Sequence, residues 1–273
     1  MNFEGNCKGT KKALVGSLTT VEEMVDTFKY KSDLKSMASK YLEELDSLAG
    51  QLGTSKLKAS VINQEENKLG WVPTEFKSIG LIEDKIEPYR DLWNIALAFR
   101  SEYASWTRSP MLKLDGGEVE ATHSSMTEKM EGLKSSFEDN EAVGPAGVAD
   151  QILETLNGFK RYIPFLRALT NSRLDDSHWK SISSILGLGI SSEDVAISWS
   201  NLNDQGILSV ENVDAIAALS NEANREYDRV VFGDWMTSMA KMDGVEVPMV
   251  VEVGHPWVGS CYCVDKLGLE KIM

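Results

Sequence analysis

The chain is poor in positive charge. Its 273 residues include 28 Lys and Arg against 42 Asp and Glu, which gives a formal net charge of −14 at pH 7. Binding to nucleic acid or to an anionic membrane requires clustered Lys and Arg. The charge balance therefore argues against both as partners.

Cysteines and long apolar runs are also scarce. Three cysteines, Cys7, Cys261 and Cys263, are too few for a disulfide framework, which is typical of a reducing compartment. No apolar run is long enough to span a membrane or to form the core of a signal peptide. We therefore expect a cytoplasmic protein.

Sequence motifs for common catalytic chemistry are missing. The chain has no G-x-x-x-x-G-K-[ST] phosphate loop, no G-x-S-x-G elbow and no H-E-x-x-H zinc helix. An ATPase, a serine hydrolase or a metalloprotease of the usual kind needs one of these patterns. The sequence therefore predicts neither a cofactor nor a catalytic residue.

Apolar residues spaced three or four positions apart predict a mainly α fold. We expect a loose leader over residues 1–18, followed by a helix that starts near Thr20 and ends at Gly50 and Gly53. A long helix should follow Gly70 and Pro73 and be kinked or split at Pro88. Three later helices are predicted around residues 126–137, 152–163 and 213–239, and residues 190–208 should form one short helix and a turn.

The C-terminal part differs in composition. Residues 245–264 are rich in β-branched and aromatic side chains around a Gly-His-Pro turn, which predicts a β-hairpin, and residues 265–273 should begin another helix. We predict an elongated row of antiparallel helical bundles with a small C-terminal hairpin. The predicted domains are a leader and stem-like helix (1–59), helical bundles (60–240), and the hairpin with a truncated helix (241–273).

Three groups of residues are candidates for chemistry. His255, Cys261 and Cys263 could bind a metal, but a site needs a fourth ligand, and two ordinary strand cysteines explain the pattern as well. Asp175, Asp176 and His178 could act as an acid/base cluster, although Asp175–Ser177 also suit the N-cap of a helix with Trp179 behind it. Acid pairs such as Glu43-Glu44 and Glu65-Glu66 are typical of solvated helix surfaces.

Seven tryptophans are the most unusual feature of the composition. Most of them fall on apolar helix faces, which favours packing between helices over a base-stacking surface, because basic neighbours are lacking. An alternative is a patch of tryptophans that binds a protein partner. The seven positions are Trp71, Trp93, Trp106, Trp179, Trp199, Trp235 and Trp257.

Several ordered blocks in residues 60–273 share the pattern of one protein family. These blocks are "EENKLGWVPTEF", "IEPYRDLWNIALAFRSEYASWTRSP", "FKRYIPFLRALTNSRLDDSHW", "ALSNEANREYDRVVFGDW" and the tail. Together they resemble the linker region of dynein heavy chains. The chain departs from the family at Ser177, where an Arg is usual, and at Arg225, where a Lys is usual. The matching positions are Trp71, Pro88, Tyr89, Trp93, Trp106, Pro110, Pro164, Asn171, His178, Trp179, Glu226, Tyr227 and Trp235.

The resemblance implies a mechanical role. A dynein linker is a helical rod that lies across the motor's AAA+ ring and bends as the ring hydrolyses ATP, and this sequence contains no ring. The ring and the tail of the same heavy chain are the implied partners, and dynein intermediate or light chains are further candidates. The implied location is the cytoplasm and cytoskeleton, with the cilium or axoneme included.

The resemblance leaves both axonemal and cytoplasmic dyneins open, while "GGEVE" and "HWKSIS" lean towards the axonemal ones. The first alternative function is an unrelated helical scaffold that binds partners through Trp-bearing faces. The second is a small metal-binding or acid/base enzyme.

Overall fold

The fold is built almost entirely from helices. The computed structural model describes residues 3–191, 197–242, 261–265 and 268–272, with side chains described for 4–191 and 197–232. Within these ranges the chain forms mainly α-helix, which confirms the predicted fold class. The α-helices are α1 (Phe3–Asp26), α2 (Ala38–Lys68), α3 (Lys77–Arg108), α4 (Gly116–Asp139), α5 (Val143–Lys160), α6 (Ile163–Leu169), α7 (Asp176–Leu186), α8 (Trp199–Asp204) and α9 (Val210–Met242).

The predicted loose leader is wrong, because α1 already begins at Phe3. Cys7, Leu14 and Leu18 are all buried and recur at helical spacing, so they place one face of α1 in the core. The glycines that suggested a loose segment, such as Gly9 and Gly16, have no atoms near them that a side chain would meet. Burial of this face therefore stabilises the helix by more than the exposed glycines destabilise it.

The predicted helix from Thr20 to Gly50 is also wrong. The chain leaves α1 at Asp26, makes a 3₁₀ turn over Thr27–Tyr30, and starts α2 only at Ala38. Helix α2 then continues through Gly50 and Gly53, because its buried stripe runs on to Glu66. Two exposed glycines cost about 1 kcal/mol each in a helix, which is less than this burial contributes.

Helix α3 is not split at Pro88. It runs from Lys77 to Arg108 with Pro88 inside, although an interior proline removes one backbone hydrogen bond. Ile86 and Tyr89, on either side of the proline, are buried and keep the helix packed against the core. Two surface ion pairs also flank the proline. The Lys85 ammonium lies 2.5 Å from Glu22 on α1, and the Arg90 guanidinium lies 2.9 Å from Asp46 on α2.

Two glycines allow helices to approach closely in the second half of the fold. A Cβ atom at Gly116 would lie 2.7 Å from Cα of Arg167, so the start of α4 meets α6 backbone to backbone. A Cβ atom at Gly144 would lie 2.6 Å from the carbonyl carbon of Tyr30. These junctions tie α4 to α6 and the start of α5 to the 3₁₀ turn after α1.

The C-terminal residues include two short strands, β1 (Cys261–Asp265) and β2 (Gly268–Ile272). They pair antiparallel with Cys261 opposite Ile272. The helix predicted from residue 265 is therefore wrong, because strand pairing occupies this stretch. The centre of the predicted hairpin, residues 254–256, lies outside the described residues.

The chain divides into two compact units, Met1–Asn221 and Glu222–Met273. The first contains α1 to α8 and the start of α9, and the second contains the rest of α9 with β1 and β2. The elongated row of bundles and the domain limits at 59 and 240 stay predictions. Small-angle X-ray scattering tests the elongated shape. We expect a radius of gyration above about 2.2·N^0.38 Å, the value for a compact globule of N residues.

Candidate functional site: aromatic clusters and helix junctions

The first aromatic cluster joins the N-terminal helices to α3 and α4. Trp93 is fully buried, and its ring centroid lies 4.9 Å from that of Tyr41 on α2. Tyr89, one turn earlier on α3, stacks on Phe137 of α4 at 5.3 Å and contacts Phe28 at 5.8 Å. Offset and tilted ring pairs of this kind stabilise packing beyond the burial of their area.

The second aromatic cluster joins the end of α3 to α5 and α8. Trp106 is 2 % exposed and stacks on Phe159 at 5.5 Å. Phe159 also contacts Tyr103 at 5.8 Å and Trp199 at 5.8 Å, and Tyr162 meets Trp199 edge to face at 5.2 Å. The predicted positions Trp93 and Trp106 thus lie at the centres of two separate junctions on one helix.

A short backbone contact connects the end of α3 to the start of α8. Pro110 forms an isolated bridge with Ser198. The backbone N–H of Met111 donates to the carbonyl of Ile197 at 2.7 Å, and the Met111 side chain is fully buried. Pro110 therefore marks a crossing of two chain segments.

The start of α7 is a capping box. Asp175 is the N-cap, and its carboxylate accepts from the backbone N–H groups of Ser177 at 2.9 Å and of His178 at 3.0 Å. The backbone N–H of Asp175 donates to Nδ1 of His178 at 3.3 Å. The capping interpretation of this stretch is confirmed, with Asp175 as the residue that caps the helix.

Hydrogen bonds lower the pKa of Asp175 from 3.8 to about 2, chiefly the one from the His178 backbone N–H and then the one from the Ser177 hydroxyl. His178 itself is 6 % exposed and Trp179 behind it is 9 % exposed. A buried imidazole that accepts a backbone hydrogen bond serves the helix start. The same Nδ1 lies 2.6 Å from the Asp175 carboxylate, so both of these contacts join His178 to the residue that caps the helix.

We expect Asp175→Ala to lower the free energy of unfolding by about 0.5–2 kcal/mol, because it removes the N-cap. The matched control Asp176→Ala should change it by less than about 0.5 kcal/mol. His178→Gln should be tolerated, since glutamine can also accept the Asp175 N–H in a capping box. Urea unfolding of the three variants measures this, and equal losses for Asp175→Ala and Asp176→Ala would contradict the assignment.

The pH dependence of this cap follows from the lowered pKa of Asp175. Because its folded pKa lies below its unfolded one, the contribution of the carboxylate to stability is complete above the unfolded pKa of about 4 and is lost as the pH falls towards 2. A carbon-13 NMR titration of the Asp175 carboxyl group should give a midpoint near 2. A midpoint near 4 would contradict the hydrogen-bonded cap.

Pro164 and Asn171 lie at the two ends of α6. Pro164 occupies the first turn of the helix, where a missing N–H costs nothing. Beyond the other end, the Asn171 amide donates to the carbonyl of Ser220 at 3.2 Å and contacts its hydroxyl at 2.9 Å. Asn171 therefore fastens the α6 end to α9.

Trp71 lies at a polar corner between α1 and α2. Its backbone N–H donates to the Glu66 carbonyl at 2.8 Å, and the Lys8 ammonium lies 5.3 Å from its ring centroid. The carboxylate of Glu66 is buried and accepts from the Thr74 backbone N–H at 2.7 Å, from the Thr74 hydroxyl at 2.6 Å and from Lys11 at 3.2 Å. These bonds, led by the one from the Thr74 hydroxyl, lower the pKa of Glu66.

The remaining predicted positions lie on α9. Glu226 and Tyr227 are exposed, and Tyr227 keeps 49 % of its surface accessible. Trp235 lies within the helix, and its side chain is outside the described residues.

Two open cavities lie on the surface of the described residues. The two best-formed cavities measure about 410 Å³, between α3 and α4, and about 400 Å³, at the Trp71 corner. Among the described residues, no group of three His, Cys, Asp or Glu side chains is placed to hold a metal. No helix in the described part is both long and apolar enough to cross a membrane. His255 and the side chains of Cys261 and Cys263 lie outside the described residues.

Sequence reasoning missed three positions that the structure makes important. Glu66 was expected on a solvated surface, which is wrong, because it is 2 % exposed. No sequence pattern singles out Gly116 and Gly144, and only the partner backbones reveal their role. The sequence signal for Glu66 was available, since it continues the buried stripe of α2 four residues after Ile62.

Comparison with known proteins assigns the part of the chain that begins with α3 to a described family. The sequence profile of "Dynein heavy chain, N-terminal region 2" matches residues 79–239, which is more than half of the chain. The match begins in the first turn of α3, so it contains both aromatic centres of α3 and the α7 cap. Helices α1 and α2 precede it.

Curated relatives agree with the profile. The human dynein axonemal heavy chain 3 is 25 % identical over 200 residues, covering 71 % of this chain and 5 % of the relative. The mouse protein of the same name is 24 % identical over 225 residues, covering 82 % and 5 %. The rat dynein axonemal heavy chain 1 is 23 % identical over 189 residues, covering 69 % and 4 %. The chain thus spans about a twentieth of the length of these relatives.

Proposed function

This chain belongs to the dynein heavy chain family, in its N-terminal region 2, and from that premise we propose that it is a non-catalytic mechanical linker segment of a heavy chain. In this role it passes movement between the ATP-hydrolysing ring and the rest of the motor. The ring and the tail of the heavy chain are its partners. In this proposal the segment itself neither binds nor hydrolyses ATP.

The arrangement of α3 carries the proposal. This one helix holds Trp93 in one aromatic cluster and Trp106 in the next, and its end is bridged to α8 through Pro110. A long helix fixed at several points moves as a stiff lever, because close-packed junctions transmit strain. Such a design fits an element that transmits movement and needs no pocket for chemistry.

The names of the relatives support a location. The human and mouse relatives are axonemal heavy chains by name. We propose that this chain likewise acts in a dynein complex of the axoneme, on the cytoskeleton of a cilium. Intermediate or light chains are candidate partners there.

The competing scaffold hypothesis needs tryptophans on exposed faces. Trp93, Trp106 and Trp179 are instead buried between helices, and Trp71 and Trp199 are half-buried. Rings that fill junctions are not available to a partner. The packing of these five tryptophans therefore favours the mechanical role.

A fluorescence energy transfer experiment on the full-length heavy chain that contains this segment tests the proposal. A donor dye on a Glu131→Cys variant, which is exposed on α4, is paired with an acceptor on the ring. The transfer efficiency should change between the nucleotide-free and the ATP-bound motor. A matched ring variant that cannot bind ATP should show no change. Equal efficiency in all states of the active motor would contradict a linker that moves.

The isolated 273-residue chain should neither bind nor hydrolyse ATP, because its sequence contains no phosphate loop. Isothermal titration calorimetry with Mg-ATP should give only the heat of dilution. A saturable isotherm with micromolar affinity would contradict the non-catalytic assignment.

A further inference from the structure

The outer face of α2 is unusually apolar for an exposed helix surface. Leu57 is 72 % exposed and Val61 is 52 % exposed. Leu57 lies two positions from buried Ser55 and Ala59, so about 200° of helix rotation separates it from each of them. Val61 follows Leu57 one turn later on the same side. This surface, which we call the α2 outer face, consists of Gly50, Gly53, Thr54, Leu57 and Val61.

The two glycines of this face leave room above the helix. Nothing lies within 4 Å of where a Cβ atom would be at Gly50 or Gly53. Each glycine in a helix interior costs about 1 kcal/mol relative to alanine, and no contact within the described chain requires it. The small residues form a shallow hollow, and the exposed side chains of Leu57 and Val61 protrude beside it as knobs. A second helix can pack closely against such a surface.

The charges at the two ends of the α2 outer face are opposite. In this acidic chain, residues 47–64 contain no Asp or Glu. Glu43 is exposed near the start of α2 and Lys68 is exposed at its last residue. Neither has an ion-pair partner within 4.0 Å in the part of the chain that the structure describes, whereas neighbouring Glu44 and Asp46 are paired with Lys31 and Arg90.

We propose that the α2 outer face docks onto the same face of a second copy of this chain, with the two α2 helices antiparallel. A two-fold axis between residues 55 and 56 places Glu43 of each copy opposite Lys68 of the other. The same register places Gly50 opposite Val61 and Thr54 opposite Leu57, so each knob meets a small residue. A surface that is complementary to itself in this way is the requirement for a symmetric dimer.

The register also places Asp46 opposite Glu65. This like-charge pair is weakened, because Asp46 is held by Arg90 at 2.9 Å and Glu65 is half-buried against the α1 side. One helix pair buries less than a standard interface of about 1,600 Å². The dimer should therefore be weak and reversible. The inference concerns α2 alone and does not rest on the proposed linker function.

Analytical ultracentrifugation of the 273-residue chain tests the association between about 1 and about 200 µM. The wild type should show a concentration-dependent dimer with a dissociation constant on the order of micromolar or weaker. Leu57→Asp should raise that constant more than about tenfold, because it places a charge in the apolar centre. The matched control Leu81→Asp, which alters another exposed leucine, should leave it unchanged. Since both leucines are exposed, thermal melts should remain close to wild type.

A charge exchange tests the antiparallel register. Glu43→Lys alone and Lys68→Glu alone should each weaken the dimer about threefold to tenfold, since each removes two symmetric ion pairs. The double variant should recover most of the affinity, because both pairs are restored with reversed sign. Glu131→Lys makes the same charge change on exposed α4 and should have no effect.

Zero-length crosslinking gives a direct readout of the contact. Within one chain, 25 residues of helix separate Glu43 from Lys68 by about 37 Å, so a carbodiimide bond between them can form only between two copies. Mass spectrometry of a mixture of isotope-labelled and unlabelled chains should find this crosslink with mixed labels. A monomer at all concentrations, or a dimer that Leu57→Asp leaves intact and that lacks the Glu43–Lys68 crosslink, would overturn the proposal.

Discussion

Replacing Trp93 by alanine is expected to lower the free energy of unfolding by about 3–5 kcal/mol, as for other buried aromatic truncations. Trp93 has no exposed surface, and its ring lies 4.9 Å from Tyr41 across the α2–α3 contact. Its removal leaves a cavity at this contact, and rigid surroundings fill such a cavity only in part. Urea unfolding followed by circular dichroism measures the change.

Two controls separate packing from hydrogen bonding at this position. Trp93→Phe should cost much less than the alanine variant, because the indole N–H of Trp93 has no hydrogen-bond partner among the described residues and only part of the ring volume is lost. Trp71→Ala should also cost less, since that ring is half-buried. If Trp93→Ala lowered the free energy of unfolding no more than Trp71→Ala does, the packing role assigned to Trp93 would be contradicted.

Gly144→Ala is expected to lower the free energy of unfolding by about 1–3 kcal/mol or more, as for other overpacked positions. The added Cβ atom would lie 2.6 Å from the Tyr30 carbonyl carbon and 2.8 Å from the Lys31 carbonyl oxygen. Both are backbone atoms, so no side-chain rotation relieves the contact, and α5 must move away from the turn after α1.

Gly147→Ala, three residues further along α5, is the matched control. No atom lies within 4 Å of its Cβ position, so the substitution should stabilise the helix by about 0.5–1 kcal/mol. Opposite signs for two identical substitutions in one helix are the expected result. If Gly144→Ala also stabilised the protein, α5 and the turn at Tyr30 would not be in backbone contact.

The sequence indicates most of the helices, because a buried helix face repeats every three to four residues. The core of α3, including Ile82, Ile86 and Trp93, follows directly from that spacing. The start of α1 and the end of α2 do not follow from local propensity, because glycines lie there beside the buried stripe. The break at residues 27–37 is hidden because apolar residues continue at helical spacing across it. Gly50 and Gly53 interrupt local propensity, while tertiary burial from Leu48 to Ile62 maintains the helix.

The junctions could be predicted only in part. The capping of α7 is local, because Asp175 and His178 are three residues apart, so the sequence indicated it. The contacts of Gly144 with Tyr30, and of Glu66 with Lys11, join residues that are far apart along the chain. No local pattern encodes such a partner, and only the folded chain shows which backbone lies against which helix.

The most direct test of the mechanical role measures microtubule gliding velocity and ATP turnover together, on a full-length heavy chain that contains this segment. The Gly144→Ala variant loosens one helix junction, and Gly147→Ala is its matched control. If the segment transmits movement without taking part in chemistry, Gly144→Ala should reduce gliding velocity while ATP turnover per motor is retained, and Gly147→Ala should change neither. Loss of ATP turnover in proportion to velocity, or unchanged velocity in a variant whose junction is shown to be destabilised, would contradict the account.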